Sequence, residues 1–279
     1  MDIQKERINL RVVAGGVMKK DLAQKTLDFH DDPEIYDAIN NFDYDIKFWK
    51  RWCQSAGKSV LELCCGTGRV GIPLIKAGFH YTGIDISRPF LKSAKDKTCG
   101  LNGNYAFQYG DMRTFKLKKK FDSVLIPFNA LAHLYSYKDV EACFQSVREH
   151  LRKNGLFIFN IFNPNPHYLV RDPRKRYRFT YEFFKTKSGK LFTLSENNLY
   201  DRSTQINHIK WYYKIKGHKK EVEKDLTMRM FYPEELLALL DYNGFEVVKR
   251  LEDFSGRAFK ANSVMQIIIA KQKHRPQKC

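Results

Sequence analysis

The stretch Val60-Leu61-Glu62-Leu63-Cys64-Cys65-Gly66-Thr67-Gly68-Arg69-Val70-Gly71 constrains this chain more than any other. An apolar run with one embedded acid passes into a glycine-containing turn, and Val70 to Lys76 then has the spacing of a helix. Backbone can approach a ligand closely at such a place, because glycine tolerates positive φ and carries no side chain. Gly66, Gly68 and Gly71 spell G-x-G-x-x-G, and Asp85 follows Gly66 by 19 residues, the spacing of a dinucleotide fingerprint. A nucleotide-like ligand on an α/β fold is the expectation.

Read from Glu62, however, acidic-x-x-x-Gly-x-Gly at the end of a first strand resembles motif I of the class I S-adenosylmethionine-dependent methyltransferases. Three later segments extend the resemblance in the right order. Tyr81-Thr82-Gly83-Ile84-Asp85-Ile86-Ser87 looks like the second strand ending in the ribose acid, Tyr109-Gly110-Asp111-Met112 like the adenine turn, and Phe121 to Asn129 like the fourth strand. A nicotinamide dehydrogenase would explain the first two segments and leave the last two idle.

The resemblance implies S-adenosylmethionine as cofactor, with Glu62, Cys64, Gly66 and Gly68 around its amino-acid part. Arg69 would pair with the cofactor carboxylate or stand exposed on its helix. Asp85, with Ile86 beside it, would accept from the ribose hydroxyls, Asp111 from the adenine amine, and the Met112 amide would face the ring. Phe128, Asn129 and His133 follow the strand that ends beside the methyl group. Asn129 and His133 are the catalytic candidates, His133 being the side chain there that titrates near neutrality. The family has glycine where Cys64 stands. A small side chain fits if φ stays negative, so a slightly displaced cofactor carboxylate is expected.

Alternation of strand and helix patterns predicts strands near 59–64, 80–85, 105–109, 121–127, 155–161, 244–251 and 263–271, with helices near 69–77, 87–97, 138–152 and 233–243. The resemblance implies a Rossmann-like, seven-stranded, mostly parallel sheet with helices on both faces, formed by 58–162 and 230–272. Residues 1–57 read as an N-terminal helical segment closing over the cofactor, where Tyr36, Tyr44 and Trp49 are candidates by resemblance. Residues 163–229, aromatic and roughly alternating, read as a β-rich cap insertion, and 273–279 as a basic tail. Asn163-Pro164-Asn165-Pro166 sits after the fifth strand, away from the place of the Asn-Pro-Pro-Tyr signature of adenine methylation.

The six cysteines, with no C-x-x-C pair, form neither a disulfide framework nor a zinc pattern; no metal is expected. With no apolar run long enough to span a membrane and no apolar leader core at the N-terminus, a cytoplasmic chain is expected. The formal net charge is +18, and residues 165–230 hold 16 basic against 7 acidic residues. A small anionic substrate methylated at O or N follows from that aromatic, basic cap. RNA is the rival acceptor, and a non-catalytic S-adenosylmethionine-binding protein is the rival class.

Overall fold

The computed structural model describes residues 31–179 and 182–273; the expectations for residues 1–30 and the tail 274–279 lie outside them. In chain order the elements are α1 Pro33–Ile39, α2 Ile46–Ala56, β1 Ser59–Leu63, α3 Gly71–Lys76, β2 His80–Asp85, α4 Arg88–Thr98, β3 Tyr105–Tyr109 and β4 Phe121–Ile126. A 3-10 turn Ala130–His133, α5 Tyr137–His150, β5 Leu151–Phe162 and α6 Pro166–Leu169 follow. Then come β6 Tyr177–Arg178, β7 Phe184–Lys185, β8 Leu191–Asp201, β9 Ile206–Ile215, β10 Val222–Arg229, α7 Pro233–Tyr242, β11 Phe245–Leu251 and β12 Met265–Gln272.

Local chemistry starts the helices where the pattern placed them. Asp32 accepts from the amides of Glu34 and Ile35 ahead of α1, and Ser87 accepts from Phe90 ahead of α4. Ser136 and Asp139 form a reciprocal capping box on α5. Prolines stand in the first turns of α1, α4 and α7, where a missing N–H costs nothing.

Seven strands pair in the order β11-β12-β5-β4-β1-β2-β3. The five strands from β3 to β5 run parallel, and β12 is antiparallel to both β5 and β11. β1 pairs with β2 on one side and β4 on the other, so the order reverses there and a crevice opens at the strands' carboxyl ends. Alternate residues of the central strands feed two cores. Leu61, Leu63, Val124, Phe157 and Phe159 pack under α5 and α7 on one face; Val60, Leu125, Leu156, Ile158 and Ile267 pack under α2, α3 and α4 on the other.

The fifth strand departs from expectation at its start. β5 begins at Leu151, where a helix end was read, and its pairing with β4 jumps from Phe121–Leu151 to Ser123–Leu156. Residues 152–155 therefore bulge.

A second, antiparallel sheet, β10-β9-β8-β6 with β7 also on β8, comes from the segment read as a β-rich insertion. The long expected strand from Tyr177 onward shortens to Tyr177–Arg178. Helix α1 lies between the two sheets. Its Ile35, Ala38 and Ile39 pack on Phe192 and Tyr213, Glu34 accepts from the Ser188 amide and hydroxyl at 2.7 and 2.8 Å, and Asp37 accepts from Thr67 at 2.6 Å. No helix among the described residues is long and apolar enough to cross a membrane.

Candidate active site

A cavity of about 720 Å³ lies at the β1/β4 switch point, between the large sheet's carboxyl ends, α1 and the second sheet. Gly66, Asp85, Ile86, Asp111, Met112, Phe128, Asn129, His133, Cys64 and Tyr36, all singled out in the sequence, stand on its wall. Glu62, Gly68 and Arg69 do not.

The glycine turn is held from below. Cys65 N–H donates to Ile84 at 3.0 Å and Gly68 N–H to Cys65 at 3.0 Å, while Gly66 N–H donates to the Asp85 carboxylate at 2.8 Å. A Cβ on Gly66, whose φ is +56°, would sit against Phe90 and Tyr36 at 3.8 and 3.9 Å. Those are ordinary contact distances, so it is the positive φ that favours glycine here.

Cys64 does not keep the negative φ expected of it: its φ is +57°. The chain has to leave β1 by a left-handed residue, and Cys64 adopts the glycine conformation despite a strain of about 1–2 kcal/mol. Its thiol reaches Met112 Sδ at 3.7 Å, so the loop keeps its shape with a side chain in it. Burial raises that thiol well above its ordinary pKa.

Asp85 is buried at the cavity wall. One oxygen accepts from Gly66 and the other from Ser87, each at 2.8 Å, and burial raises its pKa against the opposing pull of those backbone donors. Ile86 is a further backbone donor to this carboxylate, which leaves acceptor capacity toward a ribose hydroxyl. Asp111 is clasped by Arg113 at 2.6 Å, and Arg113 also reaches Asp139 at 2.9 Å. The adenine-side turn is thereby tied to the start of α5.

Glu62 turns away from the cavity. Its carboxyl accepts from the Tyr81 hydroxyl at 2.7 Å, and burial pushes its pKa up to about 8. In the unfolded chain it titrates near 4.5. A raised folded value means that stability is full below the unfolded value and is lost as pH climbs through about 8. Thermal melts at pH 6 and pH 9 are therefore expected to show a fall for the native chain that Glu62→Gln lacks; equal falls in both would contradict a neutral, buried Glu62.

Arg69 takes neither of its expected roles. Two parallel bonds of 2.7 and 2.8 Å hold it to Asp45, which is 1% exposed and also accepts from the Trp49 indole at 3.0 Å. Its guanidinium stacks 4.2 Å from the Phe42 ring. It pins the segment before α2 to the glycine turn. Trp49 belongs to the core, Tyr44 is exposed, and Tyr36 packs on Phe90 at 4.7 Å with its hydroxyl pKa raised by burial.

Beyond β4 the backbone is left-handed twice in succession, φ +57° at Phe128 and +60° at Asn129. Three bonds to β5 enforce this. Phe128 N–H donates to the Asn160 side chain at 2.8 Å, Asn129 N–H to the Asn160 carbonyl at 3.1 Å, and the Asn129 side chain accepts from Phe162 N–H at 2.7 Å. Asn129 thus shapes the turn that delivers His133. The His133 ring lies 3.5 Å from the Tyr135 hydroxyl, which bonds Thr227 on β10. Tyr135, Thr227 and Asp45 escaped the sequence reading because each works through a partner distant in the chain, as Arg113 does in reaching Asp139. Among the described residues no group of three or more His, Cys, Asp or Glu is placed to hold a metal.

A seven-stranded sheet of this order, with a glycine turn after β1, an acid closing β2 and another after β3, is the class I S-adenosylmethionine-dependent methyltransferase fold. Residues 60–155 match the family model described as a methyltransferase domain. It is 32% identical over 133 residues to YqeM of Bacillus subtilis (strain 168), a protein named provisionally as a methyltransferase and without a substrate; the match covers 46% of this chain and 52% of YqeM. The chain spans about half the length of such curated relatives. In structure it resembles the CcbJ methyltransferase from Streptomyces caelestis, with a TM-score of 0.73, 21% identity, and coverage of 90% of this chain and 99% of that one. A methyltransferase from Clostridium acetobutylicum ATCC 824 overlays with a TM-score of 0.69, 18% identity, and coverage of 86% and 97%.

Proposed function

We propose that the chain transfers the methyl group of S-adenosylmethionine to an oxygen or nitrogen of a small molecule in the cytoplasm. The observation that carries this reading is the succession, along one cavity, of the Cys64–Gly68 turn, Asp85, the Asp111–Met112 turn and the Phe128–His133 turn. The residues fit the cofactor: Asp85 keeps acceptor capacity at the cavity wall, and Gly66 leaves room a Cβ would fill. When bound, the cofactor supplies an electrophilic methyl carbon with its leaving group built in. What remains for the protein is alignment and a dry site. Asp85 would hold the ribose, Asp111 and Met112 the adenine, and the turn from Cys64 to Gly68 the amino-acid part. Tyr36 on α1 covers the cavity from outside. At its other end Asn129 shapes the turn, and His133 takes the proton of an acceptor that arrives protonated.

The charge excess is poor support for an anionic acceptor. The wall carries five carboxylates, Asp31, Asp32, Asp85, Asp111 and Asp139, against three basic side chains. Each base already faces an acid: Arg113 meets Asp111 and Asp139, Lys224 meets Asp31 at 2.5 Å, and Lys190 meets Glu34 at 4.0 Å. Relatives include dTDP-amino-sugar N,N-dimethyltransferases of Streptomyces, which favours an amine-bearing small acceptor over RNA.

Asp85→Ala is expected to weaken S-adenosylmethionine binding by about 1–3 kcal/mol, the scale for hydrogen bonds to a charged group; an unchanged dissociation constant contradicts the ribose assignment. The function itself is tested by incubating the chain with methyl-labelled cofactor and fractionated cell extract. Label in small metabolites supports the reading, and label in RNA overturns it.

A further inference from the structure

The part of the cavity opposite the glycine turn has a different composition. Along β9, Trp211, Tyr213 and Ile215 alternate onto the cavity face, and along β10 Val222, Leu226 and Met228 do the same. Lys224 interrupts the second row, and its charge is matched by Asp31. The result is an apolar wall two strands wide, faced by Ile35 and Ile39 of α1. Such a wall is built for area, not for charge.

The aromatic rings on it are set rigidly. The Trp211 indole N–H donates to Glu196 at 3.0 Å, and Arg171 holds Glu196 at 3.2 Å. Phe179 lies 5.8 Å from the Trp211 ring and Tyr213 stands edge-on to it at 6.1 Å. Anchored rings offer a flat ligand a stacking surface at little entropic cost. Beyond the paired charges around Lys224 and Lys190, further polar groups stand at the other end: Tyr135 bonds β10 through Thr227, and His133 lies beside it. A largely apolar side, its charges paired, facing one hydrogen-bonding end describes the shape of the acceptor.

From this we infer that the acceptor is a flat aromatic molecule bearing a hydroxyl or amino group. Its ring lies against Trp211 and the β9–β10 wall, and its nucleophilic atom points to the Asn129–His133 turn. This rests on the methyltransferase reading above. In the reaction a bond forms from the acceptor oxygen or nitrogen to the methyl carbon, and the carbon–sulfur bond breaks with its electron pair left on sulfur. The acceptor's proton passes to the His133 imidazole. Phosphorylated and polycarboxylated acceptors are disfavoured by the same wall, which would desolvate their charges against apolar rings while the lysines there are already paired.

The test uses the full chain, methyl-labelled S-adenosylmethionine, and two acceptor panels: phenols, aryl amines and hydroxyquinones in one, sugar nucleotides and dicarboxylates in the other. Transfer to members of the aromatic panel is expected, with KM for the best of them rising about tenfold or more in Trp211→Ala, equivalent to losing about 1.4 kcal/mol. Trp211→Phe should recover most of that KM. Cofactor affinity, read by calorimetry, should be the same in all three proteins. Transfer confined to the anionic panel overturns the inference, as does a KM unmoved in Trp211→Ala or no transfer to any aromatic compound. Loss of cofactor binding in the native chain would instead strike the methyltransferase reading itself. If Trp211→Ala does not fold, Met228→Ser on the adjacent strand β10 supplies the same comparison.

Discussion

Replacing Arg69 by methionine is expected to cost about 3–5 kcal/mol of folding stability, the range for removing one member of a buried ion pair. Asp45 is 1% exposed, and two of its three side-chain hydrogen bonds come from Arg69. Methionine fills the space but leaves a carboxylate in a low-dielectric corner with only the Trp49 indole as donor. The pair also joins residues 24 apart, so its loss loosens the α1–α2 segment from the glycine turn. Urea denaturation checks this: the midpoint should fall sharply at unchanged slope. Adding Asp45→Asn to Arg69→Met should recover part of the loss, because the stranded charge is then gone. A loss below about 1 kcal/mol would show that the pair is not the anchor described.

Gly71→Ala is expected to rank next, at about 3 kcal/mol, the upper end for overpacking a filled core. A Cβ at residue 71 would lie 2.3 Å from Tyr81 Cζ and 2.4 Å from its hydroxyl. Tyr81 has nowhere to retreat. It is 1% exposed, its hydroxyl is bonded to Glu62, and a Cβ on Gly83 would meet the same hydroxyl at 2.8 Å. The third glycine of the G-x-G-x-x-G run therefore serves Tyr81, since its φ lies in the ordinary range and no Cβ of its own would touch the cavity. Shortening Tyr81 to valine should make the Gly71→Ala change cheaper than in the native chain. Additive losses in the double variant would contradict the steric account.

These two cases mark where sequence reading runs short. The large sheet was legible because its strands are buried on both faces, read as apolar runs, and are punctuated by glycine turns and helix caps. The wall residues Gly66, Asp85 and Asp111 were legible for the same reason: they follow strands at set offsets. Arg69 and Glu62 were assigned to the cofactor because they flank the turn. Their actual partners, Asp45 and Tyr81, are brought in by α2 and β2, and no local pattern announces them. Cys64 shows a different limit, since nothing in a residue name says that the chain will force it to positive φ. In the second sheet, β9 was legible from its aromatic alternation, whereas β8 and β10 carry charged and amide residues on their outer faces and dilute the signal.

The crevice beside β1 and β2 is expected to hold S-adenosylmethionine. Calorimetric titration of the native chain tests it most directly. A single saturable site for S-adenosylmethionine is expected, competed by S-adenosylhomocysteine and weakened in Asp85→Ala. No measurable binding, or saturation by a nicotinamide dinucleotide in its place, would contradict it.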